Sequence, residues 1–136
     1  MHAEREIWIG PVGPIPVYKE APLPPGAAEG IARAQRLRTV DDHLVALRTD
    51  ADHWTRREVV PRLAGRGRDD ERTVPALVAA LLQDPSAAVR DAAAMALWSY
   101  ADDERVADAF AHALGDGDAD VRSSAAYGLV HGRRAG

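Results

Sequence analysis

Cysteine is absent from the 136-residue chain, which excludes disulfides, thiolate metal sites and thiol nucleophiles. Aromatic residues make up only 5% of the chain, fewer than sheet proteins usually carry, whereas the abundant alanine favours helices. No apolar run approaches the ~20 residues that a membrane span needs. The charged N-terminus also lacks the hydrophobic core of a signal peptide. We therefore expect an all-helical cytoplasmic protein that does not associate with membranes.

The chain also lacks an excess of basic over acidic residues. The formal net charge is −4, and a general nucleic-acid binder normally carries a basic excess because it must neutralise phosphates. Lys19 is the one lysine among 17 basic residues. This preference for arginine, with much Ala, Gly, Asp and Pro, is typical of a GC-rich bacterial genome and says little about function. The length fits one ordinary domain.

Proline is concentrated in the N-terminal part of the chain. Because proline removes a backbone donor and disfavours helix in the residue before it, residues 1–26 are predicted to form a Pro/Gly-rich extended arm or a hairpin. Residues 27–136 are predicted to form the helical domain. The arm carries apolar side chains that need a surface to pack on, either the helical domain itself or a partner. These possible arm contacts are Trp8, Ile9, Val17 and Tyr18.

The helical region contains an internal repeat. The segment that begins at Asp84 recurs at Asp116, and a fainter copy begins at Asp50, so the copies are 34 and 32 residues apart. An arginine follows each of these aspartates by six residues, at positions 56, 90 and 122. Self-similarity at this period is typical of a solenoid array.

Each period contains two predicted helices. Val74, Leu77, Val78 and Leu81 follow the spacing of one helix face, and that helix is expected to end near Gln83. The same reasoning predicts a leading helix at 27–38 and a kink or an end at Pro61. The other predicted buried stripes are Val40, Leu44 and Leu47; Val59, Val60 and Leu63; Val89, Ala93, Ala96, Leu97 and Tyr100; Val106, Phe110 and Leu114; Val121, Ala125, Gly128 and Leu129.

The motif Val74-Pro75-Ala76-Leu77, followed by Asp84 and Val89-Arg90, resembles the HEAT repeat, including its phycobilisome-lyase-like variant. The resemblance covers about residues 39–131 and is weakest in the first unit, where Thr55 replaces Val. It implies a short α-solenoid of about three HEAT-like helix pairs whose second helices line the inner face. It also implies that the repeated Asp and Arg residues form a structural ladder between units.

The second helices carry a second, apolar side that faces away from the predicted core. On a helical wheel, Met95 and Trp98 lie opposite Val89 and Ala93, and Tyr127 and Val130 occupy the matching positions one repeat later. Exposed apolar and aromatic residues of this kind usually mark contact sites. Alternatively, they pack on neighbouring helices or receive the N-terminal arm. The predicted partner-binding residues are Asp91, Met95, Trp98, Tyr127, Val130 and His131.

A basic cluster supports an alternative, nucleic-acid binding, as in HEAT-like DNA glycosylases. Its residues are Arg56, Arg57, Arg62, Arg66 and Arg68. Interleaved acidic residues favour instead a solvated surface of mixed charge. A third alternative is a lyase-related protein, although no residue singles out a chromophore site. The five histidines lack metal-ligand spacing, so no metal, cofactor or catalytic residue is predicted.

The sequence therefore predicts a non-enzymatic adaptor or accessory subunit that docks a protein partner on the inner face of a solenoid. Open solenoid ends expose apolar surface unless they are capped, and no capping helix is predicted after Leu129. Homodimerisation or assembly into a larger complex is therefore expected as well.

Overall fold

A computed structural model describes the backbone of residues 5–8 and 14–17, and residues 22–132 in full. Strand β1 (Arg5–Trp8) pairs antiparallel with β2 (Pro14–Val17), with Ile7 opposite Ile15. Of the two predicted forms, extended arm and hairpin, the structure therefore has the hairpin. The predicted arm contacts Ile9 and Tyr18, and the side chains of Trp8 and Val17, lie outside the described residues, so their contacts stay a prediction.

Seven helices follow the hairpin. Their order along the chain is α1 (Ala27–Gln35), α2 (Val40–Thr49), α3 (His53–Arg66), α4 (Thr73–Gln83), α5 (Ala87–Ala96), α6 (Glu104–Ala113) and α7 (Ala119–Gly132). A short 3-10 helix, Leu97–Tyr100, continues α5. Helices α2, α4 and α6 pack side by side as a first layer, and α1, α3, α5 and α7 pack as a second layer. This two-layer array confirms the predicted short α-solenoid.

Short polar side chains fix where several helices begin. The Thr39 hydroxyl accepts a hydrogen bond from the Asp42 N–H at 3.0 Å, and the Asp42 carboxylate accepts one from the Thr39 N–H at 3.3 Å. Asp52 and Asp103 cap α3 and α6 through the N–H groups two residues later, at 2.9 and 2.8 Å. These bonds satisfy backbone donors that have no partner inside the helix.

The core lies between the two layers. The largest fully buried aliphatic and aromatic side chains include Leu63, Leu77, Leu97 and Phe110, which all belong to predicted stripes. Leu114 was predicted to be buried with Phe110, and this is wrong: its side chain is 43% exposed. Leu114 is the C-cap of α6 and keeps helical backbone angles. It follows Val106 by eight residues, so it lies about 80° further round the helix, beyond the buried face.

Two further features concern α3 and α2. Of the predicted kink or end at Pro61, the end does not occur, because α3 continues to Arg66; the kink stays a prediction. The Pro61 ring lies on the exposed side, where water can hydrate the backbone carbonyl that loses its helical partner. In α2, His43 is fully buried, which no sequence pattern predicted. Its Nδ1 donates to the Thr39 carbonyl at 2.6 Å, whereas Nε2 has no hydrogen-bond partner among the described residues.

Helices α6 and α7 approach closely at Gly128. A Cβ atom at this position would lie only 2.6 and 2.8 Å from Cζ and Cδ2 of the Phe110 ring. Only glycine leaves room for the ring, so Gly128 sets the distance between the two helices of the third unit.

Candidate functional site

Three arginine–aspartate pairs join successive units of the second layer. Arg56 donates from Nε and Nη2 to the Asp84 carboxylate at 2.9 and 3.0 Å, and Arg90 donates to Asp116 at 2.9 and 3.1 Å. Arg33 on α1 makes an equivalent pair with Asp50, at 3.1 Å for both bonds. We call this set of pairs the ladder. It confirms the predicted structural role of the repeated Asp and Arg residues and extends it by the Arg33 pair.

Every ladder residue except Arg33 makes a further hydrogen bond within its own unit. Asp116 also accepts from the N–H of Asp118 at 2.8 Å. Burial alone would raise the pKa of Asp116, but the hydrogen bonds from Arg90 and Asp118 and the nearby guanidinium charges outweigh it, so that its pKa is lowered. The hydrogen bond to Asp84 likewise raises the pKa of Arg56. Asp116 and Arg56 therefore keep their charges, each in contact with its own ladder partner, which fits a structural role for the ladder.

An aromatic stack lies on the other side of the second layer, where α5 meets α7. The Trp98 and Tyr127 ring centroids are 4.4 Å apart, and the Tyr127 and His131 centroids are 4.1 Å apart. The Trp98 Nε1 donates to the Ser124 carbonyl at 2.9 Å, which fixes the indole against α7. The structure thus brings together three residues that the sequence had placed on two separate helices.

Apolar side chains that reach solvent extend this stack. Met95 is 39% exposed, Tyr127 48% and Val130 65%, whereas Trp98 is half-buried. We call Met95, Trp98, Tyr127, Val130 and His131 the aromatic face. No residue in the described part of the chain covers it.

Asp91 lies at the edge of the aromatic face. The Ser124 hydroxyl donates to its carboxylate at 2.5 Å, so that Asp91 and Trp98 both anchor α5 to α7 through Ser124. The second carboxylate oxygen of Asp91 makes no hydrogen bond to the described residues. All six predicted partner-binding residues therefore lie in one region, although Asp91 and Trp98 also have structural roles.

The exposed apolar surface of the aromatic face has a short continuation on α3. Pro61 occupies the repeat position of Met95 and Tyr127, and it is exposed as they are. Beside it, Arg62 donates to Glu58 at 3.3 Å in an ion pair along α3. The apolar surface thus ends at a polar border on α3.

The predicted basic cluster is divided among different contacts. Arg56 is a ladder residue and only 9% exposed, so it cannot contact a phosphate as predicted. Arg62 pairs with Glu58, and the Arg68 guanidinium lies 5.6 Å from the centre of the Tyr100 ring. Arg66 donates to the Arg38 carbonyl at 3.1 Å. These contacts leave two exposed cluster members, Arg57 and Arg68, without an ion-pair or hydrogen-bond partner among the described residues.

Sequence reasoning missed a groove in the first layer. It lies between α2 and α4 and has a volume of about 300 Å³. Alanine side chains on α4 open it because they fill too little of the space beside α2. Its lining includes Leu44, Leu47, Arg48, Ala76, Ala79 and Ala80. The only sequence signal was the run of alanines, which is equally typical of close helix packing.

Two properties of the described part of the chain bear on other functions. Its His, Asp and Glu residues form no group that could hold a metal ion. None of its helices combines the length and apolar character needed to cross a bilayer.

A family model described as HEAT repeats matches residues 40–130, from the start of α2 to near the end of α7. The match includes three ladder aspartates and most of the aromatic face. No curated protein sequence matches the chain.

Proposed function

The chain belongs to the HEAT-repeat family, and we propose that it is a non-enzymatic cytoplasmic adaptor or accessory subunit that docks a protein partner on its aromatic face. HEAT repeats generally mediate protein–protein interaction. Within the family, the motifs at Val74–Leu77 and Val89–Arg90 support a place among the phycobilisome-lyase-like repeats.

The observation that carries the proposal is the exposed stack of Trp98, Tyr127 and His131. Tryptophan, tyrosine and methionine are enriched at protein interfaces, and central aromatic residues often dominate the binding energy. Trp98 is already fixed by its hydrogen bond to Ser124, and Tyr127 is held between two rings. A partner would therefore lose little side-chain entropy on ordering this surface.

The carboxylates of the ladder support a binding role over a catalytic one. Asp84 and Asp116 each accept two hydrogen bonds from one guanidinium. Asp116, whose pKa is lowered in the folded protein, is a poor general acid or base because its charged form is stabilised. The division of the basic cluster among internal contacts likewise favours a protein partner over nucleic acid.

Affinity capture from a lysate of the source cells tests the proposal. Three baits are compared: wild type, a double variant and a control. The double variant carries Tyr127→Asp and Val130→Asp, which place charge on the exposed part of the aromatic face without touching the ladder. Val45→Asp is the matched control, because Val45 is a 49% exposed apolar residue on the first layer. We expect a protein that wild type and the control retain and the double variant loses.

All three baits must give the same helical circular dichroism spectrum and a similar urea midpoint. Equal retention of the same proteins by all three baits would contradict the proposed face.

A further inference from the structure

The groove in the first layer has an apolar floor and a polar rim. Leu47 and Ala80 are buried and form its floor, and the half-buried Leu44 adds to the apolar wall on α2. Arg48 and Gln83 are exposed and bring polar groups to the rim. The groove thus combines space for an apolar group with polar side chains at its opening.

The size of the groove fits a small molecule rather than a protein surface. Its volume of about 300 Å³ lies at the lower end of the range for ligand sites. At about 30 Å³ for each water-sized group, the groove holds about ten non-hydrogen atoms. A stable protein–protein interface buries at least about 1,200 Å², which is far more than the walls of this groove offer.

Arg48 is the charged group of the groove that a ligand can use. Its side chain is exposed and has no ion-pair or hydrogen-bond partner among the described residues. Asp84, the other charged residue in the lining, has both carboxylate oxygens engaged. Oδ1 and Oδ2 each accept from Arg56, and Oδ1 also accepts from the Ser86 N–H. The groove therefore favours an anionic ligand over a cationic one.

The positive charge at the rim is specific to this groove and is not a feature of the repeat. Arg48 lies two residues before the ladder aspartate of the first unit. The same position is Leu82 in the second unit and Leu114 in the third, and both leucines are exposed. This position therefore reaches solvent in all three units, but it carries a charge in the first unit alone.

We propose that the groove binds a small organic carboxylate, with its hydrocarbon part between α2 and α4 and its carboxylate paired with Arg48. Guanidinium and carboxylate groups match in planar geometry and form charge-assisted hydrogen bonds. The carbonyl ends of α2 and α4 disfavour an anion deep in the groove, which places the carboxylate at the rim. This site goes beyond the proposed function, because it lies on the first layer, whereas the aromatic face lies on the second.

Titration of the full chain with octanoate, followed by heteronuclear NMR, tests the site. Octanoate has about ten non-hydrogen atoms, and we expect it to saturate one site with a dissociation constant of about 1 mM or below. The largest chemical-shift changes should lie in α2 and α4. Octanamide has the same size without the charge and should bind at least about tenfold more weakly, the effect of losing a charge-assisted hydrogen bond. 3-Phenylpropanoate serves as a second carboxylate, with a ring in place of the flexible chain.

Two variants with matched controls locate the ligand. Ala79→Leu narrows the groove from its exposed wall and should weaken octanoate binding at least about tenfold. Ala111→Leu changes the same exposed position in the third unit and should leave the affinity unchanged. Arg48→Gln removes the charge, so that octanoate and octanamide should bind equally. Arg57→Gln, at another exposed arginine without an ion-pair partner among the described residues, should keep the preference for octanoate.

Three results would overturn the proposal: neither carboxylate saturates the site, Ala79→Leu and Ala111→Leu bind octanoate equally, or octanamide binds as tightly as octanoate. Capture of a protein that an Ala79→Leu bait loses, without octanoate binding to wild type, would identify a protein segment as the occupant and overturn it as well. Failure of the aromatic face is a separate result, since octanoate binding is measured without a protein partner and Tyr127→Asp leaves the groove intact.

Discussion

Removing the Arg56 side chain should destabilise the protein more than any other single ladder truncation. The Arg56 and Asp84 side chains are only 11% and 5% exposed. Arg56→Ala leaves the Asp84 carboxylate buried, with the N–H of Ser86 at 2.9 Å as its remaining donor. Breaking a buried ion pair by removing one partner costs about 3–5 kcal/mol, because the remaining charge is not compensated.

Urea unfolding followed by circular dichroism measures the loss. With an m-value of about 2 kcal/mol/M for a domain of this size, the unfolding midpoint should fall by about 2 M. Arg33→Ala is the matched control, because Arg33 makes the same bidentate contact with Asp50 but its side chain is 49% exposed. Solvent screens that pair, so its loss should have little effect on the midpoint.

The double variant Arg56→Met, Asp84→Leu separates the uncompensated charge from the value of the pair itself. Replacing a buried ion pair by apolar residues of similar volume is often neutral, so this variant should regain most of the stability that Arg56→Ala loses. The reasoning is refuted if Arg56→Ala and Arg33→Ala shift the midpoint equally, or if the double variant is less stable than Arg56→Ala alone.

Three further predictions use the same urea assay. Gly128→Ala should lower the free energy of unfolding by about 1–3 kcal/mol, because its methyl group would overlap the Phe110 ring. Gly65→Ala, where nothing lies within 4 Å of the new atom, should raise it by about 0.5–1 kcal/mol; the opposite order would contradict the packing described. His43→Leu should raise it by up to about 1 kcal/mol, since it removes a buried Nε2 without a partner among the described residues, while the Thr39 carbonyl keeps the backbone N–H of residue 43 as a donor; a loss of similar size would contradict this reasoning. The pKa of Asp116 is lowered in the folded state, so the stability that Asp116 contributes is present above the pKa of the unfolded carboxyl and is lost as the pH falls below about 4. Asp116→Asn should therefore reduce the loss of stability between neutral and acidic pH. An unchanged loss would count against this role of Asp116.

Much of the fold could be predicted because it is repeated. The Asp and Arg positions recur with the repeat, so the ladder of Arg56 and Arg90 followed from the sequence. The Arg33 pair did not, because Arg33 lies outside the repeated motif. Leu114 was misplaced because positions eight residues apart lie about 80° apart round a helix, so a stripe spaced i, i+4, i+8 leaves the buried face at its third member.

The aromatic face was predicted in outline and corrected in detail. Met95 and Tyr127 are exposed as the wheel indicated, whereas Trp98 is half-buried. Trp98 lies in a 3-10 helix and packs against α7 through its bond to the Ser124 carbonyl, which agrees with the predicted alternative of packing on a neighbouring helix. The contact between Trp98 and Tyr127 also depends on the distance between α5 and α7, which periodicity does not specify.

No sequence pattern predicted the burial of His43 or the groove beside Leu44. Both depend on how neighbouring helices are rotated and spaced, and alanine-rich helices tolerate several spacings. The sequence therefore identifies which helix faces are apolar but not which apolar positions a neighbour leaves open.

The most direct test of the proposed function is the affinity of the captured partner, purified and titrated calorimetrically into three proteins. Wild type and Val45→Asp should bind it equally, and Tyr127→Asp should bind it at least tenfold more weakly, a loss of about 1.4 kcal/mol or more that is typical of a central aromatic contact. Equal affinity of wild type and Tyr127→Asp would contradict docking on the aromatic face.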